Sequence, residues 1–242
     1  MPSVLSLNID GYNTKHGKWS VRRDYIRATI EYLKPDIVVL QAAFYNRLLD
    51  GSNQAEQLTR LLPKYPFCHF QPAHTHKGIT EGLALLSKIE PADIYLHRLN
   101  NRPEYKEASS RIIMHAHFGF TDGSSFNVLN VHYSPVYEQT HDYLIETLNY
   151  TEKLPDPTLL IGDFCRPADS PLLALLHAAG WIDAWDSLYP NEEGYTYEAG
   201  GELRIRRDQA WSKNLAISRA KTIMNEANGV RMSSHLGLLV KW

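Results

Sequence analysis

The sequence predicts a layered α/β fold, and three observations carry that expectation. Short β-branched, apolar runs alternate with fewer stretches of helical spacing. Several of those runs, Asp36–Gln41 and Thr158–Phe164 above all, are apolar on both faces, which requires cover on both sides. The 242 residues, 43% of them hydrophobic, are enough to bury one large core, so residues 1–242 are expected to form a single domain.

Val4–Ile9 reads as a strand closed by a turn around Gly11. Trp19–Leu33 has helical spacing, with Ile26, Ile30 and Leu33 on one face, and Pro35 ends it. Asp36–Gln41 is a central strand that stops on a polar residue; Ala42 and Ala43 follow where a chain leaving a sheet more often carries polar side chains. Asn53–Leu62 is a second helix, stopped by Pro63. Strands are expected at Leu83–Ser87, Asp93–Leu99, Arg111–Phe118 and Phe126–Tyr133. Tyr137–Leu154 reads as a helix before Pro155, and Thr158–Phe164 as an almost wholly apolar strand. Ser170 is the expected N-cap of a further helix, with Pro171 at its first position and Gly180 as its stop. Short strands near Tyr195 and at Asp208–Ser212, Leu215–Lys221 and Leu236–Trp242 complete the chain, which contains no fixed-period repeat and no linker-like segment.

Lys and Arg number 25 against 27 Asp and Glu, a formal net charge of -2, so the electrostatic footprint of a dedicated nucleic-acid binder is missing. Two cysteines, Cys68 and Cys165, make no disulfide framework, and a reducing, cytoplasmic location is the expectation. No run approaches the ~20 apolar residues of a membrane span.

Polar residues gather at strand ends: Asn8, Asp10, His132, Asp163 and His235. Loops at strand ends of a layered α/β fold are where sites form. Taken singly, each has a plainer reading. Asn8, Asp10 and Gly11 suit a turn, His132 a half-buried strand, Asp163 a cap, and Asp169 with Ser170 a helix start. The stretch CHFQPAHTH offers Cys68, His69, His74 and His76 as ligand types, but in no finger spacing, and Pro72 points to a loop or strand edge near the mouth of a site. A softer ion such as Zn²⁺ would find His132, Asp163, Cys165 and His235.

Together, SLNIDGY, PDIVVLQ, EGLALLSK, NVLNVHY, LLIGDFCRPADSP, RRDQAWS and SSHLGLLV, in that order across nearly the whole chain, resemble the endonuclease/exonuclease/phosphatase superfamily of DNase I-like fold. The resemblance implies a four-layer α/β/β/α sandwich, two mixed sheets packed face to face with helices outside. It implies phosphoester hydrolysis at one end of the sandwich, in most members with Mg²⁺ or a similar ion. Residue by residue, it implies that Asn8 holds the phosphate or helps orient the nucleophile, and that Asp10 is an outer metal carboxylate. Asp163 would orient or activate water. His235 would contact the scissile phosphate with Asp208 fixing its tautomer, and His132 would be a second histidine partnered by Glu81. Arg111, Arg206 and Cys165 are the expected substrate contacts.

The same resemblance implies a Glu directly after LQ, an Asp before the last histidine and an Asn after Gly-Asp-Phe. Those positions are Ala42, Ser234 and Cys165. Mg²⁺ is held by oxygens and usually takes one or two carboxylates with substrate phosphate. Asp10 is a lone carboxylate, so Mg²⁺ or Mn²⁺ is expected to bind weakly, or only with substrate; no organic cofactor is expected. Three functions remain open: a phosphodiesterase or phosphatase with a reduced metal requirement and histidine–carboxylate acid–base chemistry, a catalytically silent module holding a phosphorylated ligand or a protein partner, and an ordinary Mg²⁺-dependent endonuclease. The first is preferred, acting on a phosphorylated small molecule or phosphodiester, with nucleic acid not favoured by the charge balance.

Overall fold

A computed structural model describes residues 2–154, 157–224 and 231–242. In chain order its elements are β1 (Ser3–Asn8), α1 (Trp19–Leu33), β2 (Ile37–Asn46), α2 (Gln54–Thr59), β3 (Phe67–His76), β4 (Ile79–Ser87), β5 (Asp93–Arg98), β6 (Ile112–Gly119), β7 (Ser125–His132), α3 (Tyr137–Thr151), β8 (Thr158–Asp163), α4 (Ala174–Ala178), β9 (Ile182–Asp183), α5 (Ala184–Leu188), β10 (Tyr197–Ala199), β11 (Glu202–Ile205), β12 (Asp208–Lys213), β13 (Arg219–Ile223) and β14 (Gly237–Lys241). One six-stranded sheet runs β13-β14-β1-β2-β4-β3 and the other β5-β6-β7-β8-β12-β9, while β10 and β11 form a separate hairpin. Both large sheets are mixed, since β1 pairs parallel with β2 and β7 parallel with β8.

Strand period 2 explains the layers. Along β2, Ile37 and Val39 enter one core while Val38 and Leu40 enter another. The central core joins Val39 and Leu85 of the first sheet to Met114, Val128 and Ile161 of the second. Outside the first sheet, Val38 and Leu40 meet Ile26 and Ile30 of α1 and Leu58 of α2. Outside the second, Leu160 and Trp211 meet Tyr143 and Leu144 of α3 and Leu176 of α4. Three cores between four layers make the expected α/β/β/α sandwich, and they explain why its strands are apolar on both faces.

Five elements depart from the sequence reading. The central strand does not stop at Gln41: β2 continues to Asn46 through a bulge, where the register against β4 shifts between Leu40 and Ala43. Ala42 takes up the extra residue with φ 49°. Gln41 is buried between the sheets, donating from Nε2 to Asn130 Oδ1 at 2.7 Å, and Asn130 donates to the Leu40 and Ala84 carbonyls. The histidine-bearing stretch is not a loop but the edge strand β3, which tolerates Pro72 because an edge leaves one side unpaired. The second helix is only Gln54–Thr59, begun by an Asn53–Glu56 capping box. Ser170 makes no side-chain cap; Pro171–Leu173 forms a 3-10 turn before α4. The third helix ends at Thr151, and the Pro155 stop lies outside the described residues. Among the described residues no helix is long and apolar enough to cross a membrane.

Arg22 holds the end of β1 against α1. Its guanidinium is 1% exposed and donates to the carbonyls of Ile9, Gly11, Gly17 and Met232. Arg22→Met strands the Ile9, Gly17 and Met232 carbonyls, while Gly11 keeps the Gln54 amide; each acceptor costs roughly 1–3 kcal/mol if left unmet. A loss of about 3 kcal/mol or more, and a Tm lower by about 6–12 °C, is the expected result of a thermal melt. A melt within about 2 °C of the parent protein would contradict this role.

Candidate active site

Strand register assembles the site. In the parallel β7–β8 pair, His132 stands opposite Asp163; in the antiparallel β8–β12 pair, Asp208 does. These three residues therefore lie side by side at one end of the second sheet. Asn8 ends β1 of the facing sheet, and His235 precedes β14 beside it. Gly162 permits the close approach: its φ is +146°, and a Cβ there would stand 2.0 Å from the Val131 carbonyl oxygen. Any side chain would push β8 from β7 immediately before Asp163.

Asp163 is fully buried and is the hub. Its Oδ2 accepts from Asn8 Nδ2 at 3.0 Å and from Arg207 Nη2 at 3.1 Å, while Oδ1 accepts from the Cys165 amide at 2.8 Å. His132 Nε2 and His235 Nε2 stand 3.5 and 3.7 Å from the same Oδ2. Burial opposes the Asp163 charge, but Arg207, His235 and His132 outweigh it and hold the carboxyl well below its usual value.

Each imidazole also faces a second carboxylate. His235 Nδ1 lies 2.9 Å from Asp208 Oδ2, and His132 Nδ1 lies 3.3 Å from Glu81 Oε1. Burial works against the His235 imidazolium, but Asp208 and Asp163 raise its pKa above the ordinary 6.5. Burial pushes Asp208 upward, with the His235 charge acting the other way. Glu81 is drawn down to about 2: burial opposes ionisation, but His132, Arg111 and His74 more than offset it. Arg111 Nη1 donates to Glu81 Oε1 at 3.2 Å, and His74 Nε2 from the edge strand lies 3.9 Å from Oε2.

Asn8, Glu81, Arg111, His132, Asp163, Arg207 and His235 line a cavity of about 450 Å³ that also takes in Asp10, Ala42, Phe44, Tyr197 and Ser234. A larger cavity of about 690 Å³ lies against α3, but its imidazoles are already bonded within the fold, His97 to Glu146 and His115 to Tyr150 and Asn127. Among the described residues, two sets of ligand-type atoms lie within 4.8 Å of one another, His132 with Asp163 and Cys165, and Asp163 with Asp208 and His235.

The family model described as "Endonuclease/Exonuclease/phosphatase family" matches residues 5–234. The chain belongs to the endonuclease/exonuclease/phosphatase family. Among solved structures, a family protein from Leptotrichia buccalis superposes with TM-score 0.82 at 20% identity, covering 100% of this chain and 99% of that one. A mannosyl-6-phosphatase from Bacteroides thetaiotaomicron gives TM-score 0.74 at 15% identity, covering 100% and 99%. D. rerio TDP2, complexed with single-strand DNA product, gives 0.73 at 16%, covering 99% and 97%. At these identities the likeness is one of fold. Among curated proteins, no sequence matches the chain.

The endonuclease/exonuclease/phosphatase sandwich brings Asn8, Glu81, Arg111, His132, Asp163, Asp208 and His235 together, but not Arg206. Arg206 is 5% exposed, and its Nη1 donates to both oxygens of Asp183 at 2.9 and 2.8 Å while Nη2 donates to Asp186. It clamps the start of α5, where Asp183 also caps the helix, and so is not available as a phosphate contact. Arg207, which sequence reasoning passed over, is the guanidinium at Asp163. Cys165 stands beside the cavity rather than in its lining: Sγ lies 3.2 Å from the Tyr133 carbonyl and 2.9 Å from Arg207 Nη2. Burial pushes its thiol up, so the thiolate is disfavoured. Asp10 and Ser234 meet across the rim at 3.4 Å, Ser234 Oγ donating to Oδ2.

Proposed function

We propose that this family member hydrolyses phosphoester bonds, as a phosphatase or phosphodiesterase, with two carboxylate-backed histidines as acid and base and a reduced need for a divalent ion. One observation carries the reading: His132 Nε2 and His235 Nε2 flank Asp163 Oδ2 at 3.5 and 3.7 Å, each with its Nδ1 turned to a carboxylate. For His235 the Asp208 carboxylate on Nδ1 fixes the tautomer and raises the basicity of the other nitrogen.

In this reading Asp163, braced by Asn8, orients the attacking water. The water oxygen bonds to phosphorus while the ester P–O bond breaks. His132 takes the water proton, and His235, kept protonated by Asp208 and Asp163, supplies the proton that the leaving oxygen needs. Arg111 neutralises phosphoryl charge from the rim.

The donor atoms fit a resident magnesium ion poorly. Ala42 has no oxygen in its side chain, and Ser234 offers a hydroxyl where a carboxylate is needed. Beside them in the lining stand Asp10 and Glu81, and Glu81 already accepts from Arg111. Asp163, common to both ligand-type sets, has each oxygen already engaged by Asn8, Arg207 or the Cys165 amide. No step is therefore assigned to a metal.

The test is a panel of sugar phosphates, inositol phosphates, phosphodiesters and plasmid DNA, with and without EDTA. The relatives named for a sugar phosphate and for single-strand DNA product motivate its breadth. Turnover that survives EDTA supports the reading. Turnover abolished by EDTA sinks the reduced-metal clause, and a silent panel would favour the alternative of a binding module. A pH–rate profile supplies a further prediction. Activity needs protonated His235, so the rate falls as pH rises through a pKa above 6.5. Asp208→Asn removes the charge that raises this pKa, so the falling limb moves to lower pH. An unmoved limb would mean that His235 is not the acid.

A further inference from the structure

We infer that the Arg207 guanidinium is the resident cation of this site, meeting the phosphoryl oxygens itself in a pocket whose donor atoms fit a divalent ion poorly. The inference rests on reading the pocket as a phosphate site and adds which group supplies its positive charge.

The geometry is that of a built site. Arg207 Nε and Nη2 lie 3.3 and 3.1 Å from Asp163 Oδ1 and Oδ2, a two-pronged clamp on the buried carboxylate. The guanidinium lies 4.2 Å from the Tyr197 ring centroid, and the same ring is 4.8 Å from His235. Stacking on the tyrosine and the clamp on Asp163 hold the guanidinium against two fixed partners. Its backbone is held too: the amide donates to Thr196 Oγ1 at 3.0 Å, and the carbonyl accepts from the Phe164 amide at 2.9 Å. Nη1 has no acceptor among the described residues, while the side chain lines the cavity and keeps 19% exposure. A fixed cation with one donor left over, in the lining of a cavity of about 450 Å³, is what an anionic oxygen would meet.

Charge balance points the same way. Asp163 is shared by both ligand-type clusters, so an ion bound to either must share or displace this guanidinium. The pocket that lacks carboxylates at Ala42 and Ser234 thus already holds a guanidinium in its lining.

The experiment uses the full chain after EDTA treatment, titrated with inorganic phosphate by calorimetry and, separately, with Mn²⁺ by electron paramagnetic resonance. Arg207→Gln and Arg207→Lys are compared with the parent, and circular dichroism checks folding. The expected result is phosphate binding by the parent in EDTA, weakened about 10–100-fold in Arg207→Gln and less in Arg207→Lys, which keeps the charge but loses the fork. Mn²⁺ should bind Arg207→Gln more tightly than the parent, because Asp163 is uncovered. If Arg207→Gln fails to fold, the Arg207→Lys titration still decides: phosphate affinity equal to that of the parent overturns the inference. So does phosphate binding that Arg207→Gln leaves intact, or tight Mn²⁺ binding by the parent. A silent ester panel with Arg207-dependent phosphate binding would sink hydrolysis and leave this inference standing. Strictly Mg²⁺-dependent turnover with phosphate binding unchanged in Arg207→Gln would do the reverse.

Discussion

Asp163→Asn is expected to lower kcat by about 10³-fold or more and to cost about 3 kcal/mol of stability. Both effects have one origin. Asp163 is the only fully buried group that Asn8, Arg207, the Cys165 amide and two imidazoles all face among the described residues. An amide in its place presents one acceptor and a donor, so its NH₂ group must confront Arg207 or Asn8, both donors already. The water then loses its orienting charge, and both imidazoles lose the anion between them. Removing one partner of a buried ion pair costs about 3–5 kcal/mol, and the lower end applies because Arg207 keeps 19% exposure and can reach solvent. Steady-state kinetics beside a thermal melt separate the terms. The melt should fall by about 6–12 °C. Retention of kcat to within about tenfold would remove Asp163 from the proposed reaction.

His235→Ala is expected to lower kcat by about 10²–10⁴-fold for an alkyl phosphate ester, with KM changing far less. Its distinctive signature is the dependence on leaving group. A nitrophenolate needs no proton, so an activated aryl ester should lose much less rate than an alkyl ester. Equal losses on both esters would show that His235 holds the phosphate rather than protonating the leaving oxygen. The structural cost should stay smaller than for Asp163. Truncation leaves Asp208 unpaired, but burial already favours its neutral form, so the carboxyl can take up a proton in place of the lost pair.

Much of this architecture was legible from local pattern. Trp19–Leu33 reads as a helix because Ile26 and Ile30 recur at helical spacing and Pro35 forbids continuation, and the helix has those bounds. Leu159, Leu160 and Ile161 announce a strand buried on both faces, and they enter two different cores. What local pattern missed has a common cause. Gln41-Ala42-Ala43 looks like a strand end because its polarity changes, yet the polar side chain is paid for by Asn130 on the other sheet, some ninety positions away in sequence. Pro72 and the histidines left both a loop and a strand edge open for β3, and the packed sheet decides for the edge, which tolerates them where a central strand would not. Arg206 and Arg207 sit in the link between β11 and β12, where strand alternation gives no rule for direction. Nothing in the dipeptide says which guanidinium turns to Asp183 and which to Asp163.

By itself the sequence determined most of the order of strands and helices, the two-faced burial of the central strands, and a set of seven segments similar to one family. These follow from periodicity, proline and chain order, which act over a few residues. Only the tertiary structure decided that His132, Asp163 and Asp208 stand abreast, that Ala42 lies in a bulge beside the cavity, and that Arg207 rather than Arg206 faces the central carboxylate. Register between distant strands and the pairing of buried charges set those outcomes, and both are properties of the packed whole.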